Sequence, residues 1–185
     1  MFEASSVNSD DQALLTQAAW KQAMALMGAR DWSSADEVLQ GVLSSSPATH
    51  IAWLQRARCA VALGDPEKAR SHFLRLLELD RHEFSGWLEL GNLERRQSRL
   101  EEAVRCYREA IAAQPQRYEA HMSLARVLEE LNQWNSAAMA YHSALEVSAV
   151  GKQAELHWRM ANFRKERGHL SLALESLRQA QMAEK

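Results

Sequence analysis

The stretch FSGWLELGNLERR, residues 84–96, reads as a helix apart from Gly91 in its middle, one turn after Trp87. Glycine in a helix interior costs about 1 kcal/mol relative to alanine, so the missing side chain should serve a purpose. The simplest purpose is room for another helix to pass close by. The same place recurs along the chain. A shift of 34 residues carries Gly91 to Ala125, and shifts the other way reach Ala57 and Ala23. Ala161 takes the place in a last unit whose frame has slipped by two residues. Ala35, Ala69, Ala103, Ala137 and Ala173 form a second small-residue series in the same frame. A fixed period of this length marks stacked repeats, each unable to bury its apolar face alone.

The frame divides the chain into units at 16–49, 50–83, 84–117, 118–151 and 154–185, with 1–15 holding an N-terminal segment and the start of the first helix. The two extra residues fall in SAVGKQ, residues 148–153, a unit junction where a loop would tolerate them. Each unit reads as two helices. In the third, 84–97 form the first helix, QSR turns, and the second carries Leu100, Ala103, Val104, Tyr107 and Ile111 at helical spacing. GDP at 64–66, LNQW at 131–134 and RGH at 167–169 mark the same turn elsewhere. Few breakers, with 3 prolines and 7 glycines in 185 residues, agree with an all-α fold.

Composition narrows the function classes. A net charge of -2 predicts no whole-chain attraction to nucleic acid or to an anionic membrane. No stretch approaches the roughly 20 apolar residues of a membrane span, and the N-terminus lacks a basic segment followed by an apolar run. Cys59 and Cys106 stand alone, which argues against a zinc knuckle or a disulfide framework and for buried thiols in a reducing cytoplasm. The 7 histidines are scattered over the period, only His121 and His157 sharing a place, that of the tryptophan, and they form no HExxH arrangement. Neither a phosphate loop nor a nucleophile elbow is present, so neither catalysis nor a cofactor is expected.

At Trp87, Leu90, Gly91, Ala103, Tyr107, Ala110 and Pro115 the third unit resembles a tetratricopeptide repeat, whose 34-residue signature is W-x2-L-G-x2-Y, then A-x3-F, then P. Glu94 replaces the usual second aromatic residue, Arg56 stands where leucine is typical, and Trp20 sits one place late in the first unit. The resemblance spans nearly the whole chain. It implies a right-handed α-solenoid of stacked antiparallel helix pairs, with first helices lining a concave groove. By class it implies a non-catalytic scaffold for a protein or peptide ligand.

If the first helices face inward, three rows line that groove. Trp20, Leu54, Leu88, Met122 and Trp158 form one; Met24, Arg58, Asn92, Arg126 and Asn162 the next; Met27, Val61, Arg95, Glu129 and Lys165 the third. The basic and amide members, Arg58, Asn92, Arg95, Arg126, Arg159, Asn162 and Lys165, are candidates to hold an extended segment bearing acidic groups, Asn on its backbone and Arg on its carboxylates. Glu89, Glu119, Glu129, Glu130, Glu155 and Glu166 offset them, and a merely solvated face is the competing reading. Trp20 and Trp158 are the aromatic contact candidates. The two-carboxylate clamp of chaperone-binding relatives is not matched, because Leu88 and Ser123 occupy its lysine and second asparagine places. An asparagine ladder is also absent, since that row reads Lys21, Gln55, Glu89, Ser123 and Arg159.

The ends carry expectations of their own. Ser9, Asp10 and Asp11 suit a helix start, leaving residues 1–8 loose. Leu170, Leu174 and Leu177 leave apolar surface on the last helix, which points either to self-association through it or to a recruiting module joined to a larger enzyme of glycosyltransferase or sulfotransferase type.

Overall fold

A computed structural model describes residues 9–46 and 49–183. Residues 1–8, Pro47 and the side chain of Leu170 lie outside the described residues, and with them the readings made there. Among the described residues there are ten helices and no strand: α1 (Ser9–Gly28), α2 (Trp32–Ser45), α3 (His50–Ala62), α4 (Pro66–Leu79), α5 (Phe84–Arg96), α6 (Leu100–Ala113), α7 (Tyr118–Glu130), α8 (Trp134–Val147), α9 (Val150–Glu166) and α10 (Leu170–Ala183). The described part of the first helix, Ser9–Gly28, extends ahead of residue 16.

The chain separates into two compact units, Met1–Arg81 and His82–Lys185. Within the first, α1 packs on α2, α2 on α3 and α3 on α4. Within the second, each helix from α5 to α9 packs on its successor, and α5 also touches α7. This is the stacking of consecutive helix pairs implied by the period. Leu39, Val42 and Leu43 join Ala23 and Ala35 in the core of the first unit. Tyr107, Tyr141, Leu156 and Phe163 join Ala103, Ala125 and Ala137 in the core of the second.

Both small-residue series are buried. Ala23, Ala57 and Ala125 are fully enclosed and Ala161 nearly so, as are Ala35, Ala69, Ala103, Ala137 and Ala173 in the second helices. At Gly91 the crowding atom is a side chain. A Cβ there would lie 2.7 Å from Cε1 and 2.8 Å from Cδ1 of Tyr107, so it is the tyrosine ring that needs the space. The Tyr107 hydroxyl donates to Oδ1 of Asn92 at 2.9 Å, and this bond draws the ring across the face of α5 beside Gly91.

The turn inside each helix pair has one recurring geometry. Arg30, Gly64, Ser98, Asn132 and Gly168 all have φ between 58° and 77°, the left-handed conformation that ends many helices. The next residue's N–H closes the turn by reaching back to the carbonyl five places before: Asp31 to Leu26, Asp65 to Ala60, Arg99 to Glu94, Gln133 to Leu128 and His169 to Arg164, all at 2.8–2.9 Å. Asp31 and Asp65 then cap the following helix through the N–H groups of Ser34 and Lys68.

The insertion at 148–153 departs from expectation. It lengthens α9 to 17 residues, against 13 in α3, α5 and α7, instead of forming a loop. Lys152, Gln153, Ala154 and Glu155 are good helix formers, and Gly151 falls in the first turn, where backbone bonds are fewest.

Arg56, at the place of a leucine, is buried together with Asp36. Its Nε donates to Asp36 Oδ1 at 2.6 Å, and Lys68 Nζ reaches Oδ2 at 2.8 Å. Burial works to raise the Asp36 carboxyl, but the bonds and charges of Arg56 and Lys68 outweigh it and hold the pKa below its usual value. The ion pair thus replaces an apolar contact with a satisfied polar one. His72 lies in the same cluster against Trp53, its ring 5.4 Å away. Its Nε2 is buried without a hydrogen-bond partner among the described residues, and burial, with Arg56 nearby, lowers its pKa to about 4.

Candidate interaction surface

The candidate residues divide between the two units. In the first, Trp20 is partly buried against the core cluster of Ala23 and Leu39, and Arg58 donates to Gln55 Oε1 at 3.4 Å on its own helix. Asn92, Arg95, Arg126, Trp158, Arg159, Asn162 and Lys165 belong to the second, on the first helices α5, α7 and α9.

Three of these side chains, Asn92, Arg95 and Arg159, are already engaged. Arg95 pairs with Glu130 of α7 at 2.8 Å, and this bond first, then the charge of Glu130, raises the arginine's pKa. Arg95 also donates to the Tyr107 hydroxyl, so that hydroxyl spends its own proton on Asn92 Oδ1. Burial raises the Tyr107 phenol. Arg159 is held by Glu155 one turn before it, at 3.1 Å.

The structure gathers four candidates, Arg126, Trp158, Arg159 and Asn162, around one pocket of about 160 Å³. Glu129, Tyr141, Phe163 and Glu166 complete its lining. Phe163 is buried against Tyr141 and Trp134, with ring centroids 5.7 Å and 6.3 Å away. The Trp158 indole is 56% exposed. Arg126 and Asn162 make no hydrogen bond or ion pair among the described residues. Lys165, exposed on α9, does not line the pocket.

Electrostatically the pocket is mixed. Burial raises the Glu129 carboxyl, and the like charge of Glu166 adds to this, against the Tyr141 hydroxyl bond and the charges of Arg126 and Arg167. Burial also pushes the Tyr141 phenol up, with Glu129 reinforcing the shift. The groove row predicts Glu129, whereas Tyr141 and Phe163 read from sequence as packing residues or not at all. Tyr141 occupies the same repeat place as Tyr107, and both hydroxyls reach polar groups of the preceding first helix.

This arrangement of helix pairs defines a repeat protein with a polar, partly aromatic face on its first helices. The chain belongs to the tetratricopeptide repeat family, whose profile matches residues 21–83 and 88–149. Among solved structures it is similar to MamA (residues 41 to the end) from Desulfovibrio magneticus RS-1, with a TM-score of 0.78, 15% identity, and 92% of this chain and 95% of that one covered. It is also similar to PilF of Pseudomonas aeruginosa, at a TM-score of 0.77 and 17% identity over 93% of this chain and 78% of that one. YrrB, described as a tetratricopeptide repeat protein with an unusual peptide-binding site, has a TM-score of 0.68 and 16% identity, with 87% and 82% covered. No curated protein matches the chain in sequence.

Proposed function

We propose that the protein is a non-catalytic interaction scaffold of a reducing cytoplasm that binds an extended segment of a partner across α5, α7 and α9. The observation that carries this reading is the gathering of the Arg126 guanidinium, the Asn162 amide and the exposed Trp158 indole around one pocket, the first two without a hydrogen bond or ion pair among the described residues. Amides bind a peptide backbone, guanidinium binds acidic groups, and an exposed tryptophan supplies contact area. Lys165 extends the basic character along α9, and Asn92 extends the amide row to α5. The peptide-binding site ascribed to YrrB supports a peptide ligand here. Burial of both thiols, with Cys59 pushed up to about 11 and Cys106 to about 12, disfavours nucleophilic chemistry at either.

The test is selection of a displayed random-peptide library on the full chain, followed by titration of a chosen peptide. Arg126→Ala and Asn162→Ala should each weaken it about tenfold or more, since a bond to a charged group contributes roughly 1.5–3 kcal/mol, with far-UV circular dichroism unchanged. Unaltered affinity in both removes this face as the binding site.

A second reading is favoured by α10, where Leu172, Leu174, Leu177 and Met182 are all exposed. Of these, Leu174 and Leu177 are neighbours three residues apart on the helix surface, and such exposed apolar side chains suit association with a second copy.

A further inference from the structure

The pocket between α7 and α9 is smaller than the roughly 300–1,000 Å³ of most small-molecule sites, and at about 160 Å³ it has the size of one side chain. Its chemistry selects which one. An acidic side chain entering it would meet Glu129 and Glu166, and one of the two guanidiniums there is already spent on Glu155. An apolar side chain would strip water from both carboxylates, a costly outcome that the Tyr141 hydroxyl bonded to Glu129 offsets only in part. A cation gains both carboxylates, separates their like charges, and can lie on the face of the Trp158 indole. Arg126 would repel it, unless an acidic neighbour on the same segment pairs with that arginine.

We propose that this pocket receives a single basic side chain, Lys or Arg, of the bound segment, with Glu129 and Glu166 as counter-ions, Trp158 as its shelf, and an adjacent acidic residue on Arg126. The inference rests on the peptide-binding reading above and changes the preferred ligand from an acidic segment to one of mixed charge.

The experiment is the same library selection, read for residue preference. Selected peptides should share one basic position with an acidic residue beside it. Replacing that basic residue by alanine in a synthetic peptide should weaken binding to the native chain about tenfold. With the Glu129→Gln, Glu166→Gln protein the two peptides should bind within about twofold of each other, while Asn162→Ala still weakens both. Glu166→Gln alone, at an exposed position, gives the same reading in part should the double variant not fold. Peptides without a fixed basic position, or a preference for it that survives loss of the carboxylates, would overturn this inference and leave peptide binding standing. A library that yields no binder would overturn both.

Discussion

A methyl group on Gly91 would sit 2.7 Å from the Tyr107 ring, closer than carbon atoms approach without something moving. Alanine should gain about 1 kcal/mol in helix propensity and lose roughly 1–3 kcal/mol to overpacking. Gly91→Ala is therefore predicted to be net destabilising by about 1 kcal/mol in urea denaturation. Tyr107→Phe removes the bond to Asn92 that holds the ring in place, so Gly91→Ala should cost less in that background. Equal costs in the two backgrounds would mean that the hydroxyl does not fix the ring. Ala57, at the Gly91 place of the second repeat, lies fully buried in a repeat that has Phe73 at the Tyr107 place, so alanine and an unanchored ring are compatible. That Gly91 is crowded is legible from the sequence, because spacing reports which positions are tight. It does not report that a side-chain hydroxyl, tied to the next residue of the same helix, causes the crowding.

Among the elements, the first unit's helices α2, α3 and α4 share a cluster of buried Asp36, Arg56 and His72 joined by the partly exposed Lys68. Both titrating members oppose acid. Asp36, with a lowered pKa, contributes stability that is present above its unfolded value and lost as pH falls through its folded one. The His72 imidazole takes up a proton near 6.5 when unfolded but only near 4 when folded, so stability declines as pH falls from about 6.5 towards 4. At about 1.4 kcal/mol per pKa unit the loss reaches at most about 3 kcal/mol. His72→Phe should flatten this stretch of the stability profile, measured by urea titration at several pH values, and leave the acid limb of Asp36 at lower pH. An unchanged profile would show that His72 titrates alike in both states. The helices themselves follow from periodicity and turn chemistry. The lengthening of α9 does not, because a repeat frame records an insertion without deciding whether helix-forming residues will absorb it. Left-handed Arg30 and Ser98 were equally hidden, since neither residue type announces that conformation.

At the scale of the molecule, the rows of the period identify the face that carries the candidate site, but not its state of engagement. Arg95 and Arg126 look alike in the sequence, and only the fold reveals that Glu130 occupies one of them. Tyr141 and Phe163 were hidden by the same logic that found the core, because a packing place can also floor a pocket. Residues at the other end of the second unit carry a separate prediction. If the exposed leucines of α10 join two copies, sedimentation should show mass rising with concentration, and Leu174→Glu with Leu177→Glu should abolish it. A single mass at every concentration would exclude that association. In arrays of this kind each hairpin answers mainly to its neighbours.

The five helix-pair turns close with the same six-to-one bond at nearly constant intervals along the chain. They behave as interchangeable joints, and the stretch from Gln114 to Arg117 between α6 and α7 is a natural splice point. A consensus hairpin grafted there would lengthen the array by one module while each flanking hairpin kept its own internal closure, so that reach could be engineered separately from recognition.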